Sequence, residues 1–138
     1  MIRKESLLHQ MIYFNNYYTM IHAIEDIIHW NTEAGNTPDK FNRHLETSML
    51  AEELSEVIIW LKNKDKVEVV DWILDLFWVW VGTMYKMWVS AEQIEECFNE
   101  IARSNYSKFV DGKAIKDSTG KIIKPVSYFK PNLVDILK

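Results

Sequence analysis

The sequence predicts an all-α fold, a four- to five-helix antiparallel bundle with a short C-terminal hairpin and an extended tail. Hydrophobic residues make up 48% of the 138 positions, which is enough for a core. Only four Gly and three Pro interrupt the chain, and this favours long helices. Apolar residues also recur with a helical period in successive segments. We therefore expect a single domain over 1–138, with a helical core at 1–106 and a basic tail at 107–138.

The first helix is predicted over about Asn16–Trp30. Ile21, Ile24 and Ile28 form a stripe along one helix face. The residues before this helix are apolar enough to form a further helical turn or a short arm. Residues 31–38 are predicted to be a loop because they are rich in Gly, Asn and Pro.

The second and third helices are predicted to be joined by a short polar break. The second begins within 40–45 and ends at about 61–62, as its leucine and isoleucine spacing indicates. Asp65 has the residue type of an N-cap, and Glu68 stands at the capping-box position three residues later. The third helix then covers about 66–88. It is apolar nearly all round, which predicts a central position in the bundle.

The fourth helix is predicted to follow Ser90 as N-cap, with Gln93 at the box position. After Tyr106 the helical pattern ends. Turn residues within 111–120 predict a small hairpin. Residues 128–131 are predicted to form an extended, docked tail.

Composition excludes several classes of protein. The single Cys97 excludes an internal disulfide and a cysteine-based zinc cluster, and it fits a reduced, cytoplasmic setting. No signal-peptide pattern is present at the N-terminus. The apolar run 67–89 has the length of a membrane span, but Asp71, Asp75 and Lys86 interrupt it. We expect a buried helix there and no membrane partner.

Charge is distributed unevenly along the chain. Residues 1–100 contain 17 acids and 8 Lys or Arg, whereas residues 101–138 contain 3 acids and 8 Lys or Arg. An acidic body can hold a metal and a basic tail can hold phosphates. Alternatively, the tail is a solvated lysine-rich segment.

Carboxylates stand among apolar residues in two segments. Glu52, Glu53 and Glu56 precede a Val-Ile-Ile-Trp run, and Asp71 and Asp75 lie within the apolar third helix. An ionised carboxylate in apolar surroundings is costly unless it is paired, and several together repel one another. A bound cation would remove both costs.

Helix geometry brings four of these acids together. Glu53 and Glu56 are i, i+3, Asp71 and Asp75 are i, i+4, and the two helices are expected to be antiparallel neighbours. At 1.5 Å rise per residue, Glu56 and Asp71 lie roughly 7–9 Å from the connection, and Glu53 and Asp75 roughly 13–14 Å. Two level pairs form an oxygen-only cage, which suits Mg²⁺ or Mn²⁺. Glu68 shares the face of Asp71 and Asp75, as either a helix cap or a ligand.

Each acid also has a purely structural interpretation. Glu52 is either a solvated neighbour or part of the site. Glu53 and Glu56 are either ligands or an exposed acidic stripe. A structural role is hardest to accept for Asp71 and Asp75, because their helix has almost no polar face.

Glu53-x-x-Glu56, a short spacer and acids on an apolar helix resemble the ExxE…ExxD signature of the MazG-like all-α nucleoside triphosphate pyrophosphohydrolases. The stretch 71–83 looks like the apolar metal-binding helix of that superfamily and the glycine after it. One departure is that Trp72 stands where a motif ending at Asp75 would have Glu. Asp71 and Asp75 are therefore the favoured ligands on this helix, with Glu68 beside them or among them.

The end of the chain carries a second match. Residues 103–108, followed by Asp-Gly-Lys at 111–113 and by 120–124, resemble the bacterial and phage branch related to phosphoribosyl-ATP pyrophosphohydrolase. In that branch an Asn and a Lys contact nucleotide phosphates or nearby groups, a role that the resemblance gives to Asn105 and Lys108.

The resemblance implies Mg²⁺-dependent hydrolysis of a nucleoside or deoxynucleoside triphosphate to the monophosphate and pyrophosphate. Glu52 or Glu53 would take a proton from water. Lysines of the tail would neutralise the leaving pyrophosphate, and the candidates are Lys108, Lys121 and Lys124. Trp30 and Asn31 either read the base or serve in packing and the loop. The resemblance also implies a homodimer or homotetramer.

Two other functions are compatible with an acidic helical bundle. A di-iron carboxylate protein needs two Glu-x-x-His elements, and the nearest approach here is a single Asp26-x-x-His29. A non-catalytic interaction module is permitted by the basic tail, but it leaves Asp71 and Asp75 unexplained. Nucleic acid is not expected as a partner.

Overall fold

The structure is a computed structural model and describes residues 18–138. Within that range the chain forms four α-helices, one 3₁₀ turn and a two-stranded sheet. In chain order these are α1 (Met20–Glu33), the 3₁₀ turn (Pro38–Lys40), α2 (Arg43–Asn63), α3 (Lys66–Lys86), α4 (Ala91–Tyr106), β1 (Phe109–Val110) and β2 (Lys113–Ala114). The prediction of an all-α fold with a small C-terminal hairpin is confirmed. The helical turn or arm predicted before Asn16 lies outside the described residues.

Local signals explain where the helices begin and end. α2 continues to Asn63, and Lys64 then turns the chain in a left-handed conformation with φ of 56°. The predicted N-cap Asp65 is confirmed, because its carboxylate accepts hydrogen bonds from the backbone N–H groups of Val67 and Glu68 at 3.0 and 3.2 Å. α3 ends at Lys86, two residues before the predicted end at Trp88, which has φ of 67°.

The chain divides into two compact units, one ending at Ala91 and one covering Glu92–Lys138. Helix α4 therefore belongs to the same unit as the tail, whereas the sequence placed a boundary after residue 106. The expectation of a single domain stays a prediction.

In the N-terminal unit, α3 is the central element. It packs against α1, α2 and the 3₁₀ turn, as its apolar sequence predicted. Its buried residues Leu76 and Val81 belong to a core that also contains Ile24, Ile27 and Val57 from the other two helices. Hydrophobic burial of this kind is the main stabilising contribution to the unit.

Much of the apolar surface of α2 and α3 nevertheless remains exposed. On α2 the exposed fractions of Ile58 and Leu61 are 47% and 54%, and on α3 those of Leu74 and Trp80 are 60% and 51%. An apolar surface of this extent marks an interaction site more often than free surface. No helix within residues 18–138 is long and apolar enough to span a membrane.

A buried ion pair joins the start of α2 to the end of α3. The ammonium of Lys86 lies 2.5 Å from Oε1 of Glu46, and the two side chains are only 7% and 5% exposed. The hydroxyl of Thr83 donates a hydrogen bond of 2.7 Å to the other carboxylate oxygen. Both oxygens of this buried carboxylate thus have partners, as burial requires.

A second polar contact joins α1 to α3. The side chain of Asn31 is buried, and its amide donates a hydrogen bond of 2.9 Å to the backbone carbonyl of Ile27. The same amide group faces Gly82, where a Cβ atom would lie 2.9 Å from Asn31 Nδ2. Gly82 therefore permits an approach between the two helices that any larger residue would obstruct.

The C-terminal unit contains most of α4, the hairpin and the tail. β1 and β2 pair antiparallel around Asp111 and Gly112, whose φ angles of 50° and 72° are those of a type I′ turn. A second turn at 117–120 leads to an isolated bridge between Lys116 and Ile122. Both turns were predicted from their Asp and Gly residues.

The tail returns along α4, and polar side chains of this helix bind its backbone. Ser104 donates a hydrogen bond of 2.7 Å to the carbonyl of Phe129, and Gln93 donates one of 2.9 Å to the carbonyl of Ile136. The backbone N–H of Asn132 donates a bond of 2.8 Å to the carboxylate of Glu100.

Candidate functional site

The predicted acids lie on the two helices expected to carry them. Glu53 and Glu56 are half-buried on α2, whereas Asp71 and Asp75 are exposed on α3. Burial raises the pKa of Glu53, and the negative charges of Asp75, Glu52 and Glu56 raise it further. The structure therefore brings Glu53 into electrostatic contact with Asp75, its partner in the level pair predicted from helix geometry.

One oxygen of Glu53 has no hydrogen-bond partner. Oε2 is buried, and no donor within the described part of the chain reaches it. A buried carboxylate oxygen without a donor is costly, and three neighbouring carboxylates add repulsion rather than relief. A hard cation would satisfy this oxygen, and oxygen ligands are the type that Mg²⁺ prefers.

The acidic side chains of α2 and α3 do not form a metal-binding cage in the described structure. Among residues 18–138, no three His, Cys, Asp or Glu side chains are close enough together to hold a metal ion as they stand. Asp71 and Asp75 are exposed, so packing does not hold their side chains in one rotamer. The ligand set of Glu53, Glu56, Asp71 and Asp75 stays a prediction.

The remaining acids lie at the edges of this group. Glu52 is exposed, and its charge contributes to the raised pKa of Glu53. Glu68 is half-buried, and its backbone N–H is bound by the Asp65 cap. Trp72, which stands where the family pattern has an acid, is half-buried, and its indole N–H has no acceptor in the described structure.

The two residues considered for base recognition have different environments. Asn31 lies within α1, is 4% exposed and packs against Gly82, so its surroundings are those of a packing residue. Trp30 is 53% exposed and meets Trp78 edge to face, with ring centroids 5.9 Å apart. The ring of Trp30 thus remains accessible, whereas the amide of Asn31 does not.

In the C-terminal unit, two of the candidate phosphate ligands, Lys108 and Lys124, contact the same tyrosine. Lys108 donates a hydrogen bond of 2.7 Å to the side-chain oxygen of Asn105. Lys108 and Lys124 both lie over the ring of Tyr128, with their ammonium nitrogens 5.8 and 4.9 Å from the ring centroid. The backbone N–H of Lys121 donates a hydrogen bond of 3.1 Å to the carboxylate of Asp117 at the 117–120 turn.

The sequence interpretation missed two structural features. The Glu46–Lys86 ion pair was not predicted, because helix rise places Glu46 level with about position 82 on α3, roughly 6 Å from the height of Lys86. Tyr128 was taken only as part of a docked tail. Its contact with Lys108 depends on the return of the chain, and no local sequence signal predicts it.

An antiparallel helical unit with acids on two adjacent helices is the arrangement that the resemblance to the all-α nucleotide pyrophosphohydrolases implied. Residues 18–105 match the family model of phosphoribosyl-ATP pyrophosphohydrolase. The chain belongs to this family, within the MazG-like all-α NTP pyrophosphohydrolase superfamily. The family is one of pyrophosphohydrolases, hydrolases that act on phosphoanhydride bonds. Among curated proteins, none matches the chain.

Proposed function

We propose that the chain hydrolyses a nucleoside or deoxynucleoside triphosphate to the monophosphate and pyrophosphate, with Mg²⁺ or Mn²⁺ as cofactor. The observation that supports this most directly is the state of Glu53. Its carboxylate is half-buried, one oxygen lacks a donor among residues 18–138, and three nearby acids raise its pKa. A side chain with a pKa perturbed by burial and like charges is a candidate for a functional site.

Glu53, Glu56, Asp71 and Asp75 would hold the cation, with Glu68 beside them or among them. A bound divalent cation would polarise a phosphorus–oxygen bond and lower the pKa of a bound water. Oxygen-only ligands from two rigid helices suit this role, because helices position side chains more precisely than loops do.

Glu52 or Glu53 would accept the proton of the attacking water. Because burial and like charges raise the pKa of Glu53, its carboxylate is a stronger base than an ordinary glutamate. Glu52 is exposed and contributes negative charge beside it. The two acids therefore differ in environment, which favours Glu53 as the base.

The phosphate groups of the substrate would be contacted by Asn105 and by the lysines 108, 121 and 124. Positive charge placed where the pyrophosphate leaves would stabilise the transition state. Lys108 is held by Asn105 and so has less freedom to lose on binding than a fully mobile lysine.

A second copy of this chain is the partner that we expect for the exposed apolar surface of α2 and α3. The exposed residues lie on two helices that pack against each other. A homodimer or homotetramer would cover this surface, as the resemblance implies. Sedimentation velocity should show a species heavier than the 16.4 kDa monomer, and Leu74→Lys should shift it toward the monomer. A monomeric wild type would contradict this part of the proposal.

The activity can be tested with a panel of NTPs and dNTPs, assayed for pyrophosphate with Mg²⁺ present. We expect at least one nucleotide to be cleaved, and Glu53→Gln to lower kcat by about 10²–10⁴-fold. Glu25→Gln removes one charge from an exposed position of α1 and is the matched control, with unchanged kcat expected. Absence of turnover for every nucleotide would refute the proposed function.

A further inference from the structure

Three buried polar atoms on half-buried side chains of α2 and α3 have no hydrogen-bond partner within residues 18–138. They are Oε2 of Glu53 and the indole Nε1 atoms of Trp60 and Trp72. The first is an acceptor without a donor, and the other two are donors without an acceptor. A buried donor without an acceptor is costly, so the N–H group of Trp72 calls for an explanation.

Trp72 lies on the face of α3 that packs against α2. Thr83 and Lys86 follow Trp72 by 11 and 14 residues, and both bond to Glu46 of α2. Eleven residues are about three helical turns and fourteen are about four, so the three side chains share one face of α3. Solvent does not reach the Nε1 atom of Trp72. An acceptor for this N–H group therefore has to come from the protein.

Glu56 is the acid of α2 at the height of Trp72. The hydrogen bond between Thr83 and Glu46 sets the register of α3 against α2. Eleven residues from each end of that bond, toward the connection between the helices, are Trp72 and Val57. Because the rise per residue is the same in both helices, Trp72 is nearly level with Val57 and with Glu56 before it. Val57 is apolar, so the half-buried Glu56 supplies the acceptor at this height.

A carboxylate that binds a metal needs a donor of this kind. Glu56 is one of the acids proposed to hold the cation. Carboxylate ligands are themselves hydrogen-bonded, and those bonds fix the direction of the oxygens that face the ion. The indole of Trp72 donates and carries no charge, so it can orient a carboxylate without adding to the repulsion among the acids. The acid that the family pattern has at this position would add to that repulsion.

We infer that Trp72 is a positioning residue of the cation site, and that its indole N–H donates a hydrogen bond to the carboxylate of Glu56 when a divalent cation is held between α2 and α3. The bond turns one oxygen of Glu56 toward Trp72 and leaves the other oxygen for the cation. The inference rests on the proposed function in taking a divalent cation as the ligand of these acids. It does not depend on which nucleotide is cleaved.

The indole N–H signals of the wild-type chain test this bond without any substitution in the site. Six tryptophans give six such signals in a ¹H–¹⁵N spectrum, and Trp→Phe variants at the other five positions assign Trp72 by elimination. Titration with Mg²⁺ alone should move the Trp72 signal downfield, because a hydrogen bond to a carboxylate deshields the proton. Trp88, which is 76% exposed beyond the end of α3, should not move. A Trp72 signal that stays in place, whether or not Mg²⁺ binds, would overturn the inference.

A substitution measures the contribution of the N–H group to metal binding. Trp72→Phe keeps an aromatic ring and should weaken Mg²⁺ binding by about 10–100-fold in isothermal titration, the loss typical of removing a hydrogen-bond partner from a metal ligand. Trp60→Phe is the matched control, because it makes the same change at a half-buried position about 6 Å nearer the connection than Glu56. Its Mg²⁺ affinity should be that of the wild type. Equal losses in the two variants would show that ring volume matters and not the N–H group, which would overturn the inference.

A double-mutant cycle tests Glu56 as the acceptor. Trp72→Phe should have no further effect on Mg²⁺ affinity in a Glu56→Ala background, because the carboxylate that Trp72 orients is absent there. Additive losses would contradict this pairing. A moving Trp72 signal and weaker Mg²⁺ binding by Trp72→Phe, without turnover of any nucleotide, would refute only the proposed hydrolysis. Turnover with an unmoved Trp72 signal would refute only the role of Trp72.

Discussion

The buried Glu46–Lys86 pair gives the sharpest stability prediction. Lys86→Met keeps an aliphatic chain of similar length but removes the ammonium, which leaves the Glu46 carboxylate buried with the Thr83 hydroxyl as its remaining donor. Removing one partner of a buried ion pair costs about 3–5 kcal/mol. The free energy of protonating the carboxylate limits this cost, because a carboxylate left without its partner can take up a proton instead. Protonating an ordinary glutamic acid costs about 3.7 kcal/mol at pH 7 and about 1 kcal/mol at pH 5.

We therefore expect Lys86→Met to lower the free energy of unfolding by about 3–4 kcal/mol at pH 7 and by much less at pH 5. Urea unfolding at both pH values, at one fixed protein concentration, measures the difference. Glu46→Leu combined with Lys86→Met should recover most of the loss, because replacing a buried pair by apolar residues is often neutral. A loss below about 1 kcal/mol at pH 7, or an equal loss at both pH values, would refute the reasoning.

Three further predictions concern other parts of the chain. Gly82→Ala places a Cβ atom 2.9 Å from the Asn31 amide and should cost about 1–3 kcal/mol in urea unfolding; unchanged stability would mean that Asn31 moves aside freely. Burial and like charges raise the pKa of Glu53 in the folded protein. Ionisation of Glu53 therefore destabilises the fold once the pH rises above the pKa that this side chain has in the unfolded chain. Glu53→Gln should therefore raise Tm in EDTA at pH 7, although in the Mg²⁺ assay it lowers the kcat of pyrophosphate release by about 10²–10⁴-fold; a lower Tm would contradict the assigned repulsion. The guanidinium of Arg103 and the N–H of Asn132 lower the pKa of Glu100 to about 2, so the stability from these contacts is present above about pH 4.5 and lost as pH falls toward 2. Glu100→Gln should remove that acid-range dependence and speed hydrogen exchange at Asn132; unchanged exchange would show that the tail docks without this bond.

The helices could be predicted from the sequence because their evidence is local. Apolar spacing and the Asp65 cap lie within a few residues of the elements they define. The end of α1 could not be predicted, because the side-chain amide of Asn31 donates a hydrogen bond to the carbonyl of Ile27 and closely contacts Gly82, 51 positions along the chain. Contacts of that range override local loop propensity.

The candidate site could be predicted in part for the same reason. Helix rise alone placed Glu53 opposite Asp75, and the charge of Asp75 does raise the pKa of Glu53. Exposure could not be predicted, since the apolar surroundings of Asp75 in sequence suggested burial, whereas its side chain faces solvent. The face of an apolar helix that becomes buried depends on the elements that pack against it, and the sequence of the helix alone does not specify those elements.

The hydrogen bonds that hold the C-terminal tail have a consequence for how this region can vary. Gln93, Glu100 and Ser104 on α4 bind backbone groups of the tail, so the polar positions of the helix specify the path of the tail. Backbone groups are the same in every residue except proline, where the N–H is missing. Side chains of the tail are therefore free to diverge among related chains, while substitutions at these three helix positions would redirect a segment more than twenty residues away.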